Sequence, residues 1–310
     1  VADRPAVSVI IPNRDSAGSL PRALASVGYA PDIEIVVVDD ASTDGSRAWL
    51  ATEAQRDSRL RVLAGSGGGP AKARNLAIGA ARGRLLAFLN ARDCWHPDKL
   101  SAQLALHRAN AELAFSFTDS REVDADGADL GAGFAAWPWF QARYLGQSDP
   151  FVLAPDALAQ IYAEAVVVTS TVLARADLVR ELGGFDPDLP TTEAWDLWLR
   201  LAGRGPVGCV PRVLVDRAAQ QPQDGAGAMR GRVLGMRMIE ARHAAAAERL
   251  SPRAARVFAA RLLNADADLA ATADRRWRAA WLRVNAWRQS PNREATRAAA
   301  GAVLHAMTSA

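Results

Sequence analysis

A doubly wound α/β domain, with a mostly parallel sheet and helices on both faces, is what this 310-residue sequence predicts for its larger part, followed by an α-helical extension. Three observations carry that expectation. Short β-branched runs alternate with helix-period segments through the first hundred residues. Polar clusters sit where those runs end. From about residue 227 onward the chain turns to Ala, Arg and Leu and reads as almost wholly helical.

Val7-Ser8-Val9-Ile10-Ile11 is a short apolar strand. Leu20, Ala23, Leu24 and Val27 then recur at helical spacing, and the run from Ile33 to Val38 is a second, β-branched strand. Asp39-Asp40-Ala41-Ser42-Thr43-Asp44-Gly45 is a polar turn rich in N-cap residues, leading into a helix through Trp49 and Leu50. For Asp39, Ser42 and Asp44, capping of that helix is the plainer expectation. Arg61-Val62-Leu63 reads as a third strand, Gly65 to Pro70 as a loop, Ala71 to Arg82 as a helix, and Leu85 to Leu89 as a buried strand. A βαβαβαβ order implies parallel pairing, with ligands bound outside the carboxyl ends of the strands. Those ends carry Pro12-Asn13, Asp39-Asp40 and Asn90 to Asp93, so the three clusters should share one cleft.

The middle is less regular. Glu112 to Thr118 reads as a strand, Glu122 to Leu130 as a hairpin turning at Asp126-Gly127, and Val166 to Ala174 as another strand. Trp137-Pro138-Trp139-Phe140 is expected in a loop, Gly183-Gly184 in a turn, and Thr192 to Ala202 in an amphipathic helix bearing Trp195 and Trp198.

Half the residues are hydrophobic and 23% are charged, which fits a soluble globular protein rather than a disordered one. No apolar run approaches the roughly 18 residues of a membrane span. Val1-Ala2-Asp3-Arg4-Pro5 runs straight into a strand, so no signal peptide is expected and a cytoplasmic protein is. Cys94 and Cys209 build neither a disulfide framework nor a metal-ligand spacing, and the four histidines are scattered. Charge is uneven: residues 230–310 hold 15 arginines, no lysine and six acidic residues, a net of +9. Such a tail could meet anionic lipid, nucleic acid or an acidic partner. The plainer expectation is a solvated surface in a sequence whose only lysines are Lys72 and Lys99.

"VSVIIPNRDSAGSLPRALASV", "IEIVVVDDASTDGS", "AKARNLAIGAARGRLLAFLNARDCWHPDKL" and "VTSTVLARADLVRELGGFDPDLPTTEAWDLWLRLA" together resemble the successive signatures of glycosyltransferase family 2. Four motifs in order are specific where each alone is weak. The resemblance implies a GT-A fold and an inverting enzyme that uses a nucleotide-diphosphate sugar (UDP-, GDP- or dTDP-linked). It implies a GT-A domain over residues 1–217, with a nucleotide-binding half (1–93) and an acceptor half (94–217). Residues 218–310 are then a helical, arginine-rich region.

By the same resemblance, Asp40 reads the nucleobase by accepting from its imide N–H, Pro12 and Asn13 flank that base, and Arg74 lies toward the diphosphate. Such donors need a group that neutralises the leaving diphosphate, usually a carboxylate-held divalent metal, and a carboxylate that deprotonates the acceptor. Here the sequence departs from the family. Members usually read Asp-Ala-Asp-Asp where this chain has Asn90-Ala91-Arg92-Asp93, and a guanidinium cannot bind a cation. The usual Glu-Asp pair is Glu193-Ala194, leaving Glu193 or Asp196 as substitute base. Gln220 stands near the place of a frequent histidine. Asp124-Ala125-Asp126, Asp186-Pro187-Asp188 and Asp266-Ala267-Asp268 also match Asp-x-Asp, but none ends a parallel strand.

Three readings follow. In the first, Asn90, Arg92 and Asp93 form a diphosphate site in which Arg92 replaces the metal's charge. Alternatively the chain is a non-catalytic relative that binds a nucleotide or sugar, or a scaffold. Or the pocket serves an acceptor that needs no deprotonation. No metal residues and no nucleic-acid partner are expected. In "RRWRAAWLRVNAW", Trp277 and Trp281 lie one helical turn apart among arginines. The stripe is expected to pack on the catalytic domain or a second subunit, with peripheral contact at the inner face of a membrane as the alternative.

Overall fold

The computed structural model describes residues 4–29, 32–189, 191–219 and 226–308. Its elements run β1 (Val7–Asn13), α1 (Leu20–Ser26), β2 (Ile33–Asp39), α2 (Ser46–Arg56), β3 (Leu60–Ala64), α3 (Pro70–Ala80), β4 (Leu85–Phe88), β5 (Cys94–Trp95) and α4 (Lys99–Ala109). Then come β6 (Phe115–Val123), β7 (Asp129–Ala132), α5 (Pro138–Arg143), β8 (Phe151–Val152), α6 (Ala157–Glu164), β9 (Leu173–Arg175), α7 (Ala176–Glu181), α8 (Glu193–Ala202) and β10 (Val207–Ala218). Four helices complete the chain: α9 (Ala226–Leu250), α10 (Pro252–Thr272), α11 (Arg276–Gln289) and α12 (Arg293–Thr308).

One sheet has the order β3-β2-β1-β4-β9-β6-β10-β5. Strands β3, β2, β1 and β4 pair in parallel, as do β6 and β10, while β9 runs antiparallel to both β4 and β6. The expected mostly parallel sheet is therefore what forms. Both β1 and β2 are covered on both faces, with Val9, Ile10, Ile11, Ile35, Val36 and Val37 fully buried, which is why they read as continuous apolar runs rather than alternating ones.

Three expectations are corrected. The predicted strand Val166–Ala174 is a strand only from Leu173, because Thr169–Thr171 forms a 3-10 turn. There the Thr171 hydroxyl donates to the Val168 carbonyl at 2.6 Å, a local bond that competes with a sheet ladder. The predicted strand from Glu112 begins at Phe115 and runs on through Val123. Trp137 to Phe140 is not a loop: Pro138, preset for a helical φ, opens α5, and Phe140 packs against Phe117, Phe134 and Tyr144. The hairpin turns as expected, with Asp124 Oδ1 accepting from the Asp126 and Ala128 N–H groups.

Gly83 marks a close approach that holds the start of the sheet. Its N–H donates to the Ser8 hydroxyl at 2.7 Å, and that hydroxyl donates to Glu34 at 2.6 Å. A Cβ on Gly83 would lie 2.5 Å from the Ser8 backbone nitrogen, so backbone must shift to admit it. The Gly83→Ala variant is expected to lose about 1–3 kcal/mol by urea unfolding.

The chain divides into two compact units. One comprises residues 1–157, 166–187 and 196–219, and the other residues 158–165, 188–195 and 220–310. In the second unit, α9 to α12 pack consecutively, and Phe258 of α10 stacks on Tyr162 at 4.3 Å and meets Trp195 at 5.6 Å. Arg261 lies over the Trp195 ring and donates to the Ala163 carbonyl. Burial, reinforced by nearby Arg232, brings its pKa down to about 10.

Candidate functional site

Within the first unit, the carboxyl ends of β2, β1 and β4 lie side by side. Asn13 pairs with Asp39 in register, and the Leu89 N–H reaches the Ile10 carbonyl at 3.0 Å. Asn13 is buried, and its amide donates to Asp39 at 3.0 Å and to the Ser42 hydroxyl at 3.1 Å. Pro12, one residue earlier, is half-buried and pairs with Val38. Ser42 accepts from the Asp15 N–H, and Asp44 from the Ala17 and Ser46 N–H groups. Only Asp44 therefore touches the start of α2 directly; the polar turn chiefly ties the loop after β1 to the loop after β2.

Asp40 is 3% exposed. Its Oδ1 accepts from Gly67 at 2.8 Å and Gly68 at 3.2 Å, and its Oδ2 from Gly69 at 2.8 Å. Gly67 and Gly69 have φ of 78° and 88°, which lets successive N–H groups turn toward one carboxylate. Oδ2 keeps acceptor capacity beyond the Gly69 bond.

The segment after β4 separates into locked and open side chains. Asp93 is buried: Oδ2 accepts from the Ser170 hydroxyl at 2.5 Å and the Asn90 amide at 3.1 Å, and Oδ1 from the Ala218 N–H at 3.1 Å. Burial pushes its pKa above the usual carboxylate value, against those bonds and the charge of Arg217. Asn90 also accepts from Arg74 at 3.1 Å, and the buried Arg74 guanidinium lies 5.1 Å from the centre of the Phe185 ring. Arg92 differs from both neighbours. It is exposed and makes no hydrogen bond or ion pair among the described residues. Asn90, Arg74 and Asp93 thus form one network, with Arg92 projecting from the turn that network braces.

Two residues escaped the sequence reading. Asp119, midway along β6, is half-buried, with Oδ1 accepting from the Ser120 and Phe134 N–H groups at 2.7 and 2.9 Å. Burial raises its pKa, opposed by those bonds and by Arg217. Arg217 of β10 stands within electrostatic reach of both Asp93 and Asp119, and its Nε is buried without a hydrogen-bond partner. An acidic residue just past the largely apolar run from Ala114 to Phe117 was the available signal for Asp119.

The two carboxylates expected as base are unlike. Asp196 is fully buried and accepts from Arg200 Nε at 2.7 Å, while Arg200 also donates to the Leu182 and Gly184 carbonyls. Glu193, the first residue of α8, is half-buried and clusters with the helical unit. Gln220 lies outside the described residues.

These donors do not fit a divalent cation. Arg92 brings a positive charge to the turn, the Asp93 oxygens are committed inside it, and Asn90 is held by Arg74 and Asp93. Among the described residues no three His, Cys, Asp or Glu side chains are grouped to hold a metal.

The sequence model of glycosyl transferase family 2 matches residues 8–156. The putative teichuronic acid biosynthesis glycosyltransferase TuaG of Bacillus subtilis is 32% identical over 207 residues, covering 65% of this chain and 74% of that protein. The chain belongs to glycosyltransferase family 2. The O-antigen biosynthesis protein RfbC of Myxococcus xanthus is 33% identical over 205 residues, a stretch covering 64% of this chain and only 14% of the Myxococcus protein. Among solved structures, S. aureus TarS 1-349 superposes with a TM-score of 0.55 over 91% of this chain and 88% of that one, at 16% identity. The fold is accordingly GT-A, and sugar transfer is the chemistry of the family to which the chain belongs.

Proposed function

We propose that this protein transfers a glycosyl group from a nucleoside diphosphate sugar to an acceptor hydroxyl, with Arg92 rather than a bound metal meeting the departing diphosphate. The observation that carries the proposal is the contrast at one turn: Asn90 and Asp93 are locked, and Arg92 projects free at the carboxyl edge of β4. A guanidinium supplies a permanent charge and paired donors to phosphate oxygens. TarS, similar in fold, has been crystallised in complex with UDP and UDP-GlcNAc, which makes UDP the first nucleotide to try.

In this scheme the acceptor oxygen attacks the anomeric carbon as the bond to the diphosphate oxygen breaks. The acceptor proton passes to a carboxylate, and negative charge develops on the diphosphate beside Arg92 and Arg74. Pro12 and Asn13 wall the base pocket. Asp40 orders the glycine loop there, with its remaining acceptor capacity on Oδ2 toward the base. Glu193 is the carboxylate proposed to take the proton.

Calorimetric titration with UDP, GDP and dTDP, in EDTA and then in Mn²⁺, tests the donor site; binding indifferent to metal supports Arg92 as the counter-charge. Complete absence of nucleotide binding would overturn the enzyme reading and the alternative nucleotide-binding module alike. Binding without turnover of any supplied sugar would leave only the non-catalytic module. For the base, Glu193→Gln is expected to lower kcat by about 10²- to 10⁴-fold, with KM little changed. Should that variant stay active while Asp119→Asn loses activity, the base is the β6 carboxyl and the Glu193 assignment fails.

A further inference from the structure

The C-terminal helices present an apolar and basic surface apart from the residues assigned to the donor site. The tryptophan stripe of α11 was expected to pack on the catalytic domain or a second subunit. Instead the buried residues of the helix are Ala279, Ala280, Leu282 and Ala286, and Trp277 and Trp281 stand 59% and 63% exposed. Ala279 and Leu282 join Ala267 and Ala270 of α10 in a core of small side chains. Close packing through alanine brings the helices together and leaves the bulky rings outside.

At about 100° per residue, Trp277, Trp281 and Arg288 fall within roughly 40° of one another on α11, and Arg278 lies about 60° beyond Trp281. Arg278 and Arg288 are exposed. The Trp277 and Trp281 rings have no hydrogen-bond, aromatic or cation partner among the described residues, whereas Trp287 donates to Thr296 at 3.1 Å. On α12, Leu304 and Met307 are each 63% exposed as well. Exposed indole rings flanked by guanidinium groups suit a boundary that is apolar below and anionic above.

We infer that the exposed face of α11 is a docking surface for a membrane rich in anionic phospholipid, with Trp277 and Trp281 entering the headgroup region and Arg278 and Arg288 meeting lipid phosphates. Charge selects this occupant over a second copy of the chain. Residues 230–310 carry a net of +9, which repels a like surface and attracts an anionic bilayer. No helix among the described residues is long and apolar enough to cross a membrane, and the attachment lies in the plane of the interface. This surface is independent of the donor and base assignments.

Flotation with vesicles of equal parts phosphatidylglycerol and phosphatidylcholine, beside vesicles of phosphatidylcholine alone, tests it. The wild-type protein should float with the anionic vesicles only, with a blue shift of tryptophan emission, and salt should release it. Trp277→Ser/Trp281→Ser should reduce partitioning about tenfold or more, and Arg278→Gln/Arg288→Gln should weaken both binding and its salt dependence. Both pairs are exposed, so thermal melts should match the wild type. The inference is overturned by failure to float, by equal binding to neutral vesicles, or by an undiminished double tryptophan variant. It also fails if sedimentation shows self-association that the tryptophan variant abolishes, since the face would then belong to a second copy.

Discussion

The Arg92→Ala variant is expected to lose about 10- to 150-fold in affinity for a nucleoside diphosphate while keeping its affinity for the bare nucleoside. Loss of a charge-assisted bond to a phosphate, on the order of 1.5–3 kcal/mol, sets that range. The split between ligands matters because Arg92 is exposed and makes no hydrogen bond or ion pair among the described residues. Its removal should leave the thermal midpoint in place, so a selective loss reports on phosphate recognition rather than folding. Turnover should suffer more than binding, by about 10²- to 10³-fold in kcat, because charge on the diphosphate grows as the glycosidic bond breaks. Arg92→Asp is the sharper companion. If the turn keeps its shape, that variant should recover nucleotide affinity on addition of Mn²⁺ and lose it again in EDTA. Equal losses for nucleoside and nucleoside diphosphate would show that Arg92 does not face the phosphates, and the proposed substitution of arginine for metal would fall.

The location of this turn was legible in the sequence because it depends on near neighbours. The apolar runs of β1, β2 and β4 pair in parallel, and polar residues follow each at its carboxyl end, so alternation alone places Asn13, Asp39, Asp40 and Asn90 along one edge. What the turn does with each side chain was not legible. Asp93 is committed to Ser170 and to the backbone of Ala218, partners far along the chain in a 3-10 turn and at the end of β10. Asp40 is claimed by three glycine N–H groups whose direction depends on positive φ angles. Asp119 was hidden by stopping the strand at Thr118, and Arg217 by β10, where register shifts fall on either side of Val213 next to Pro211. Helix α11 misled for another reason. Alanine and tryptophan both read as apolar, and periodicity cannot say which face a helix buries when close packing favours the smaller side chain.

The largest effect on stability is expected from Arg200→Ala. Asp196 is 0% exposed, and Arg200 both neutralises it at 2.7 Å and caps the carbonyls of Leu182 and Gly184 beyond α7. Removing the guanidinium leaves a buried carboxylate without its counter-ion and two carbonyls without that donor. Breaking one side of such a pair costs about 3–5 kcal/mol. Urea unfolding should show the loss in the midpoint with little change in slope. Asp196→Asn keeps an acceptor for Arg200 and buries no charge, so it should cost less, and the double variant Asp196→Asn/Arg200→Ala should be more stable than Arg200→Ala alone. The same series separates structure from chemistry at this helix. If Asp196 serves only as the anchor of Arg200, Asp196→Asn should retain turnover once its stability loss is offset by assay at low temperature. A loss of kcat as deep as that expected for Glu193→Gln, in a variant shown to be folded, would instead return Asp196 to the proton transfer.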